Sequence, residues 1–350
     1  MLTTTDYGDD LNESACAKLL PAMNLLTFPI LRLLLDGKFH SGEKIAQQLN
    51  TSRANVWNAL KDAEALGIEI FSVRGRGYKL PEAVTLLDAS AVLAATGHGG
   101  AGFQLEIHDH LESTNSYLMK NIGNGLAHAS CVAANLQTKG RGRRGRNWQA
   151  GLGASLTFSL LWRFQCGAAA LSGLSLAVGV ALMRALHSLG VQQAQLKWPN
   201  DVLIVTGDRR EKLAGILIEL QGDMEGPSTA VIGIGINLNL PPRLKQQIDQ
   251  PATDLASISA QPINPNLLLG VLLKHLADVL GEFEQQGFSR LRAEWSSHHA
   301  YHQQPVKMLH ADGRETMGTV MDIAEDGVLL VQTANGVERF SSGEISLRAI

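Results

Sequence analysis

The sequence predicts an α+β chain in three parts: three short helices closed by a small hairpin, a central mixed β-sheet with helices, and a small C-terminal β-barrel. Three observations carry this. Between Leu25 and Leu80, apolar residues recur at helical spacing and then give way to two short strand-like runs. From Phe103 to Asn237, strand-like runs alternate with helical stretches. Beyond Pro305, four alternating runs are separated by Asp312-Gly313, Asp326-Gly327 and Asn335-Gly336 turns. The expected divisions are an acidic, weakly ordered leader (1–24), a first domain (25–81), a central domain (82–302) and the barrel (303–350). A chain of 350 residues suits two or three domains, and 45% hydrophobic with 18% charged residues is a globular composition. With a net charge of −3, any nucleic-acid contact must be local. The acidic N-terminal residues do not fit a secretory signal, and no apolar run reaches the ~18 residues that cross a bilayer, so a cytoplasmic protein is expected. Cys16, Cys131 and Cys166 lie far apart without CxxC spacing, against a disulfide framework or a zinc site.

In the first domain, Thr27 is placed to cap a helix with Pro29 in its first turn and Ile30, Leu33 and Leu34 as its buried stripe. Ser41 caps a second helix. Ser52 caps a third, whose Val56, Ala59, Leu60 and Ala63 share one face. Two strand-like runs, Ile68–Val73 and Tyr78–Leu80, flank Arg74-Gly75-Arg76-Gly77. This is the plan of a winged helix-turn-helix. Its third helix would offer Ser52, Arg53, Asn55, Asn58 and Lys61 to the major groove, and Arg74 and Arg76 on the wing would meet phosphates or the minor groove. Trp57 on the same helix could equally pack against the wing. Residues 25–80 hold eight Lys or Arg against five Asp or Glu, a modest basic excess that also suits a protein-contact module.

A connecting helix is expected over Leu86–Ala95, then the Gly97-His98-Gly99-Gly100 break and a strand over Phe103–His108. Ser113 or Thr114 can cap the next helix, and with Asn115 they could hydrogen-bond a small polar head group. Gly140-Arg141-Gly142-Arg143-Arg144-Gly145-Arg146, with Trp148 behind it, lies between the strand-like runs Cys131–Gln137 and Ser155–Trp162. Four guanidinium groups on a glycine-rich turn suit a phosphate-bearing ligand, or a carboxylate being activated by one; a surface stretch touching nucleic acid is the alternative. After a small-residue helix (Leu171–Leu189), Lys197-Trp198-Pro199-Asn200-Asp201 concentrates polar groups between apolar strands, with Asp201 expected as an exposed carboxylate. Lys212 is placed at the start of an apolar strand, at the sheet rim. Gly233 and Gly235 leave a flat floor in Val231–Asn237, and no third glycine or helix follows to make a dinucleotide fingerprint. Two helices, Asn264–Gln286 and Phe288–His299, precede the barrel, and His298-His299-x-x-His302 reads as helix-end surface. Much positive charge without a nucleophile suits adenylation, in which a carboxylate attacks the α-phosphate of ATP and magnesium accompanies the nucleotide.

In this order, Gly140–Arg146 with Trp148, Lys197–Asp201, Lys212–Ile216 and Gly233–Asn237 resemble the biotin–protein ligases. With the winged helix, about residues 25–350 resemble that family's bifunctional ligase–repressor form. The resemblance implies a class II synthetase-like central domain and an SH3-like C-terminal barrel. It implies that Ser113, Thr114 and Asn115 meet the biotin ureido head. Gln137, Arg141, Gly142 and Arg143 would hold the biotin carboxylate and the adenylate, and Gly215 would line the biotin slot. Arg143 would retain the activated biotin, and Lys212 would contact both biotin and the adenylate phosphate. Asp201, beside Lys197, would help the acceptor lysine lose its proton. Arg143, Arg144, Arg146, Trp148, Lys197, Asn200 and Asn237 would contact the nucleotide. The implied partners are the biotin carboxyl carrier protein, operator DNA of biotin biosynthesis genes, and a second copy of the chain on adenylate binding. The repressor form's adenine-covering Trp has no counterpart, since Leu238–Asn266 contains no aromatic residue. Aliphatic residues or other parts of the chain must cover the adenine. A DNA-binding regulator with weak or no ligase activity and a lipoate–protein ligase are the alternatives; the arginine loop and Lys197–Asp201 favour biotin.

Overall fold

The computed structural model describes residues 24–97, 102–223, 225–310, 312–342 and 346–349. The leader, but for its last residue, and most of the Gly97–Gly100 break lie outside them. The chain divides into two compact units, one ending at Glu82 and the other starting at Ala83. Among the described residues no helix is long and apolar enough to cross a membrane.

The first unit packs α1 (Thr27–Leu34), α2 (Gly42–Gln48) and α3 (Arg53–Ala65) around Ile30, Leu34, Ile45, Val56 and Leu60, and adds the hairpin of β1 (Phe71–Val73) and β2 (Gly77–Lys79). Ser41 and Ser52 cap their helices as expected, accepting from Lys44 N and Asn55 N. Thr27 does not cap α1. It is buried and donates to Ala59 O at 3.3 Å, a tertiary partner that local pattern cannot reveal. The hairpin is anchored by paired bonds between His40 and Tyr78, both 2.8 Å. Gly77, at φ +101°, makes this possible, because a Cβ there would overlap the His40 carbonyl.

The second unit is built on a seven-stranded sheet in the order β3-β4-β7-β11-β10-β9-β8. Its strands are β3 (Gln104–Leu111), β4 (Ser130–Gln137), β7 (Ser155–Phe164), β8 (Ala194–Lys197), β9 (Asp201–Thr206), β10 (Arg209–Gly222) and β11 (Ser228–Asn237). Only β3 and β4 run parallel. Two-residue strands β5 (Gly140–Arg141) and β6 (Asn147–Trp148) pair outside this sheet. Helices α4 (Ala89–Thr96), α6 (Leu174–Ser188) and α9 (Pro265–Gln286) form one layer. α6 is apolar nearly all round and is buried against the sheet and α9. On the other face, α5 (Thr114–Asn121) seals Leu118 and Ile122 over Val132, Leu161 and Val231. Short α7 (Pro242–Lys245), α8 (Leu255–Ile258) and α10 (Arg292–Ser297) complete the helices.

The C-terminal sheet holds β12 (Pro305–Leu309), β13 (Glu315–Ile323), β14 (Leu329–Thr333), β15 (Gly336–Phe340) and a fifth strand that sequence reading missed, β16 (Ser346–Ala349), in the order β15-β14-β13-β12-β16. Its Val306, Met308 and Val320 join the same core as α6. Trp198 is buried between the two sheets and donates to Gly327 O at 3.1 Å. His299 is a further correction. It is not surface but 7% exposed, with its ring 4.7 Å from that of Trp295 and its backbone bridged to Leu196. Burial pushes its imidazole down to about 3, so it is neutral at ordinary pH.

Candidate active site

A cleft of about 430 Å³ opens over the first half and middle of β10 and the end of β11. It is lined by all sixteen ligand-site positions named from the sequence, from Ser113 and Gln137 through Arg141–Trp148 to Lys197, Asp201, Lys212 and Asn237. The elements explain the convergence. Ser113 is the N-cap of α5, accepting from Ser116 N at 3.3 Å, and so sets Thr114 and Asn115 at the sheet surface. Gln137 ends β4, and its Oε1 accepts from Thr114 N at 2.9 Å and lies 3.2 Å from Thr114 Oγ1.

Behind these lies Ser159, wholly buried in β7 and missed at the sequence level. Its oxygen is 2.5 Å from Asn115 Oδ1 and 2.7 Å from Thr114 Oγ1. A carbonyl oxygen cannot donate, so the single Ser159 proton serves Asn115, and the Thr114 hydroxyl is left to donate to Ser159 or Gln137. Asn115 Nδ2 is bonded to Leu217 O at 3.2 Å and to Glu219 at 2.9 Å. The only hint of Ser159 in the sequence is the alternation of Ser155, Thr157 and Ser159 with apolar residues along the strand.

The glycine floor is narrower than expected. The space that a Cβ at Gly233 would need is filled by the Asn115 carboxamide, and that at Gly235 by the Trp148 indole, which also lies over Gly215. These glycines admit the protein's own side chains, which then shape the slot. Trp148 Nε1 is buried with no hydrogen-bond partner among the described residues, and Lys212 Nζ is 5.6 Å from the ring centroid.

The arginine loop is a closed hairpin. Gly140 and Arg141 pair with Trp148 and Asn147, and Gly142 N donates to Arg146 O at 2.7 Å. Its turn uses Arg144 at φ +59° as well as Gly145, so a non-glycine residue takes the left-handed conformation at the tip. Arg143 points inward, donating to Asn200 Oδ1 at 3.2 Å and to Ser342 O, just beyond β15. Burial holds its guanidinium below the usual arginine range, opposed by Asp201 and reinforced by Arg144 and Arg146. Asn200 is fixed by its own bond to Ile216 O at 2.8 Å. Arg144 and Arg146 remain exposed.

At the far end, Asp201 is not the exposed carboxylate expected. Its side chain is 14% exposed and bonded to Lys212 Nζ at 2.6 Å. Burial alone would raise its pKa, but Lys212 and Lys197 outweigh it and hold the carboxyl below the usual range. Lys197 pairs across β8–β9 with Asp201. Burial, aided by Arg348, Lys212 and Arg146 and opposed by Asp201, pushes Lys197 down to about 8. Lys212 sits three residues inside β10, at a bulge before Ala214, rather than at the strand's start. Asn237 is buried, donating to Thr253 O at 2.9 Å and Lys212 O at 3.3 Å, so it ties the 238–253 stretch to β10. That stretch contributes Gln247–Gln250 to the cleft, with Ile248 as its apolar member, and β16 contributes Arg348.

The model of the biotin/lipoate A/B protein ligase family matches residues 108–237, an HTH domain matches 27–79, and the biotin protein ligase C terminal domain matches 302–348. The bifunctional ligase/repressor BirA of Salmonella typhimurium is 35% identical over 324 residues, spanning 91% of this chain and 97% of that protein. The chain belongs to the biotin–protein ligase family. Another relative, the biotin–[acetyl-CoA-carboxylase] ligase of Paracoccus denitrificans, is 31% identical over 67% of this chain and 96% of its own length. The Aquifex aeolicus biotin protein ligase, solved in complex with biotin and ATP, superposes with a TM-score of 0.60 at 29% identity, covering 71% of this chain and 99% of that one. As a biotin–protein ligase of the bifunctional form, this chain carries both the ligase domain and the helix-turn-helix.

On the helix-turn-helix, the exposed face of α3 bears Arg53, Asn55, Asn58 and Lys61. Trp57 joins them at 51% exposed, rather than packing on the wing. Ser52 is engaged as the cap, Asn55 Nδ2 donates to Thr51 at 3.0 Å, and Lys61 pairs with Glu64 at 2.6 Å. On the wing Arg74 is exposed, and Arg76 stacks over Phe39 at 4.1 Å.

Proposed function

We propose that the cleft joins biotin to ATP as biotinyl-5′-AMP and then passes biotin to a lysine of the biotin carboxyl carrier protein of acetyl-CoA carboxylase. The observation that carries this reading is the placing of an apolar slot, roofed by Trp148, between two sets of polar groups. At one end lie the hydrogen-bonding groups of Ser113, Thr114, Asn115 and Gln137. At the other lie Arg143, Lys197 and Lys212 around Asp201. The ureido head binds at the first end, where Asn115 acts chiefly by holding Thr114 and Ser159 in place. Gly215 lines the slot, Arg141 receives the carboxylate, and Gly142, its N–H bonded to Arg146 O, holds the hairpin turn beside it.

The carboxylate oxygen attacks the α-phosphorus, the bond to pyrophosphate breaks, and the cations offset the charge of both partners as they approach. Lys197, Arg144, Arg146 and Asn200 face the phosphates, while Trp148, Ile248 and the backbone beside Asn237 cover the nucleotide. Among the described residues no group of three or more His, Cys, Asp or Glu is placed to hold a metal ion. Magnesium, expected to accompany ATP, would offset the charge of the phosphates when bound. As Lys212 turns from Asp201 to the adenylate phosphate, the carboxylate loses its nearest cation and becomes a better base for the incoming ammonium. The lysine amine then attacks the acyl carbon and AMP departs. Residues 82–302 are the ligase domain in this reading, and 303–350 close its cleft through Ser342 and Arg348.

The 25–81 domain binds operator DNA of biotin biosynthesis genes, and a homodimer formed on adenylate binding would match a two-fold operator. The experiment is Arg143→Gly. Loss of its charged hydrogen bonds should speed adenylate escape by about ten- to a hundredfold, with indiscriminate labelling of bystander proteins. A variant that labels only the carrier protein, as wild type would, sinks the assignment of the loop.

A further inference from the structure

Glu219 lies just behind the cleft wall, bonded to two of its lining residues, Asn115 and Arg141, yet none of the sequence motifs includes it. It lies on β10, and one oxygen, Oε2, accepts from Asn115 Nδ2 at 2.9 Å and from Arg141 Nη2 at 2.5 Å. A single carboxylate therefore ties the helix that presents Ser113–Asn115 to the hairpin that carries Arg141–Trp148. The two partners are held very differently. Asn115 is buried and bonded on three sides, by Ser159, Leu217 and Glu219. Arg141 stands on a two-residue strand with its side chain 42% exposed, so its guanidinium is the half of the pair that can move. A guanidinium fork fits one carboxylate as well as another. The group that Glu219 occupies is thus the group that an acid ligand in this cleft would need.

We propose that Glu219 is a positioning residue: it holds Arg141 against the sheet until the carboxylate of the bound acid takes the guanidinium over, and it keeps Asn115 aligned throughout. The inference rests on the reading of the cleft as a biotin-activating site. Two carboxylates compete for one cation, so Glu219 opposes a charged ligand and is indifferent to an uncharged one of the same shape.

The test is calorimetric titration of the full chain with biotin and with biotinol, in which an alcohol replaces the carboxylate. Glu219→Gln keeps an acceptor for Asn115 and removes the charge that holds Arg141. The variant should bind biotin about two- to fivefold tighter, the scale of a partly exposed ion pair, and bind biotinol as wild type does. In an Arg141→Gln background the same substitution should leave biotin binding unmoved. Biotin and biotinol shifting together would reveal a merely structural role and overturn the proposal, as would biotin binding that is weaker or unchanged in Glu219→Gln. If the wild-type chain binds no biotin, the functional reading falls first and this assignment with it.

Discussion

Lys197 is the cation in the cleft whose charge is most weakly held. Burial and three neighbouring cations lower its pKa to about 8, and Asp201 supplies the main opposing attraction. The ammonium is therefore present below about pH 8 and lost as the pH rises through it. If Lys197 faces the phosphates, kcat/KM for ATP, which reports the free enzyme, should fall on an alkaline limb near that value. Lys197→Arg should move the limb to higher pH, since a guanidinium stays charged throughout the range, even if kcat drops. A limb that stays put in the variant would remove Lys197 from that role. Lys197 and Asp201 were both legible in the sequence, but their relation was not. Asp201 looked like a solvent-facing carboxylate, and only the fold shows it buried between two lysines.

Elements decide what the residues can reach. β11 passes directly beneath α5 and the β5–β6 hairpin, and its glycines are the positions of closest approach. Gly233→Ala would drive a methyl into the Asn115 carboxamide. The expected cost is about 1–3 kcal/mol of stability, with biotin affinity reduced on the order of tenfold as Asn115 and Ser159 are displaced. Thermal unfolding and titration calorimetry check both parts, with Gly123→Ala as the reference, because no atom lies within 4 Å of a Cβ at that site. Wild-type biotin affinity in Gly233→Ala would show that the Asn115 contact does not shape the slot. The helices capped by Ser41 and Ser52 were readable because capping is local. The end of α1 was misread because Thr27 hydrogen-bonds across 32 residues instead.

Across the whole molecule, the helix-turn-helix and the ligase domain lie in separate compact units. The net charge of −3 conceals a basic face on α3 and the wing. Arg53→Ala removes an exposed cation from that face and should leave stability within about 0.5 kcal/mol of wild type. If Arg53 contacts a phosphate, the slope of log affinity against log salt for duplex DNA should fall by about one, with weaker binding across sequences. An unchanged slope, measured with biotin and ATP present, would place the DNA contact elsewhere.

What the sequence determined by itself was the set of parts: capped helices, alternating strands, a basic-tipped wing, and an ordered series of polar motifs whose residue types suit anion activation. Each depends on neighbours within a few positions, where periodicity and turn chemistry operate. What only the tertiary structure decided was how those parts meet. Arg348 and the 247–250 stretch enter the cleft from parts of the chain far away in sequence, Ser159 and Glu219 brace its Asn115 from behind, and no local pattern marks them. The burial of His299, the ion pair of Asp201 with Lys212 and the filling of the glycine floor by Asn115 and Trp148 are likewise products of packing. Desolvation and close approach depend on what the fold brings within a few ångströms, which residue spacing along the chain does not encode.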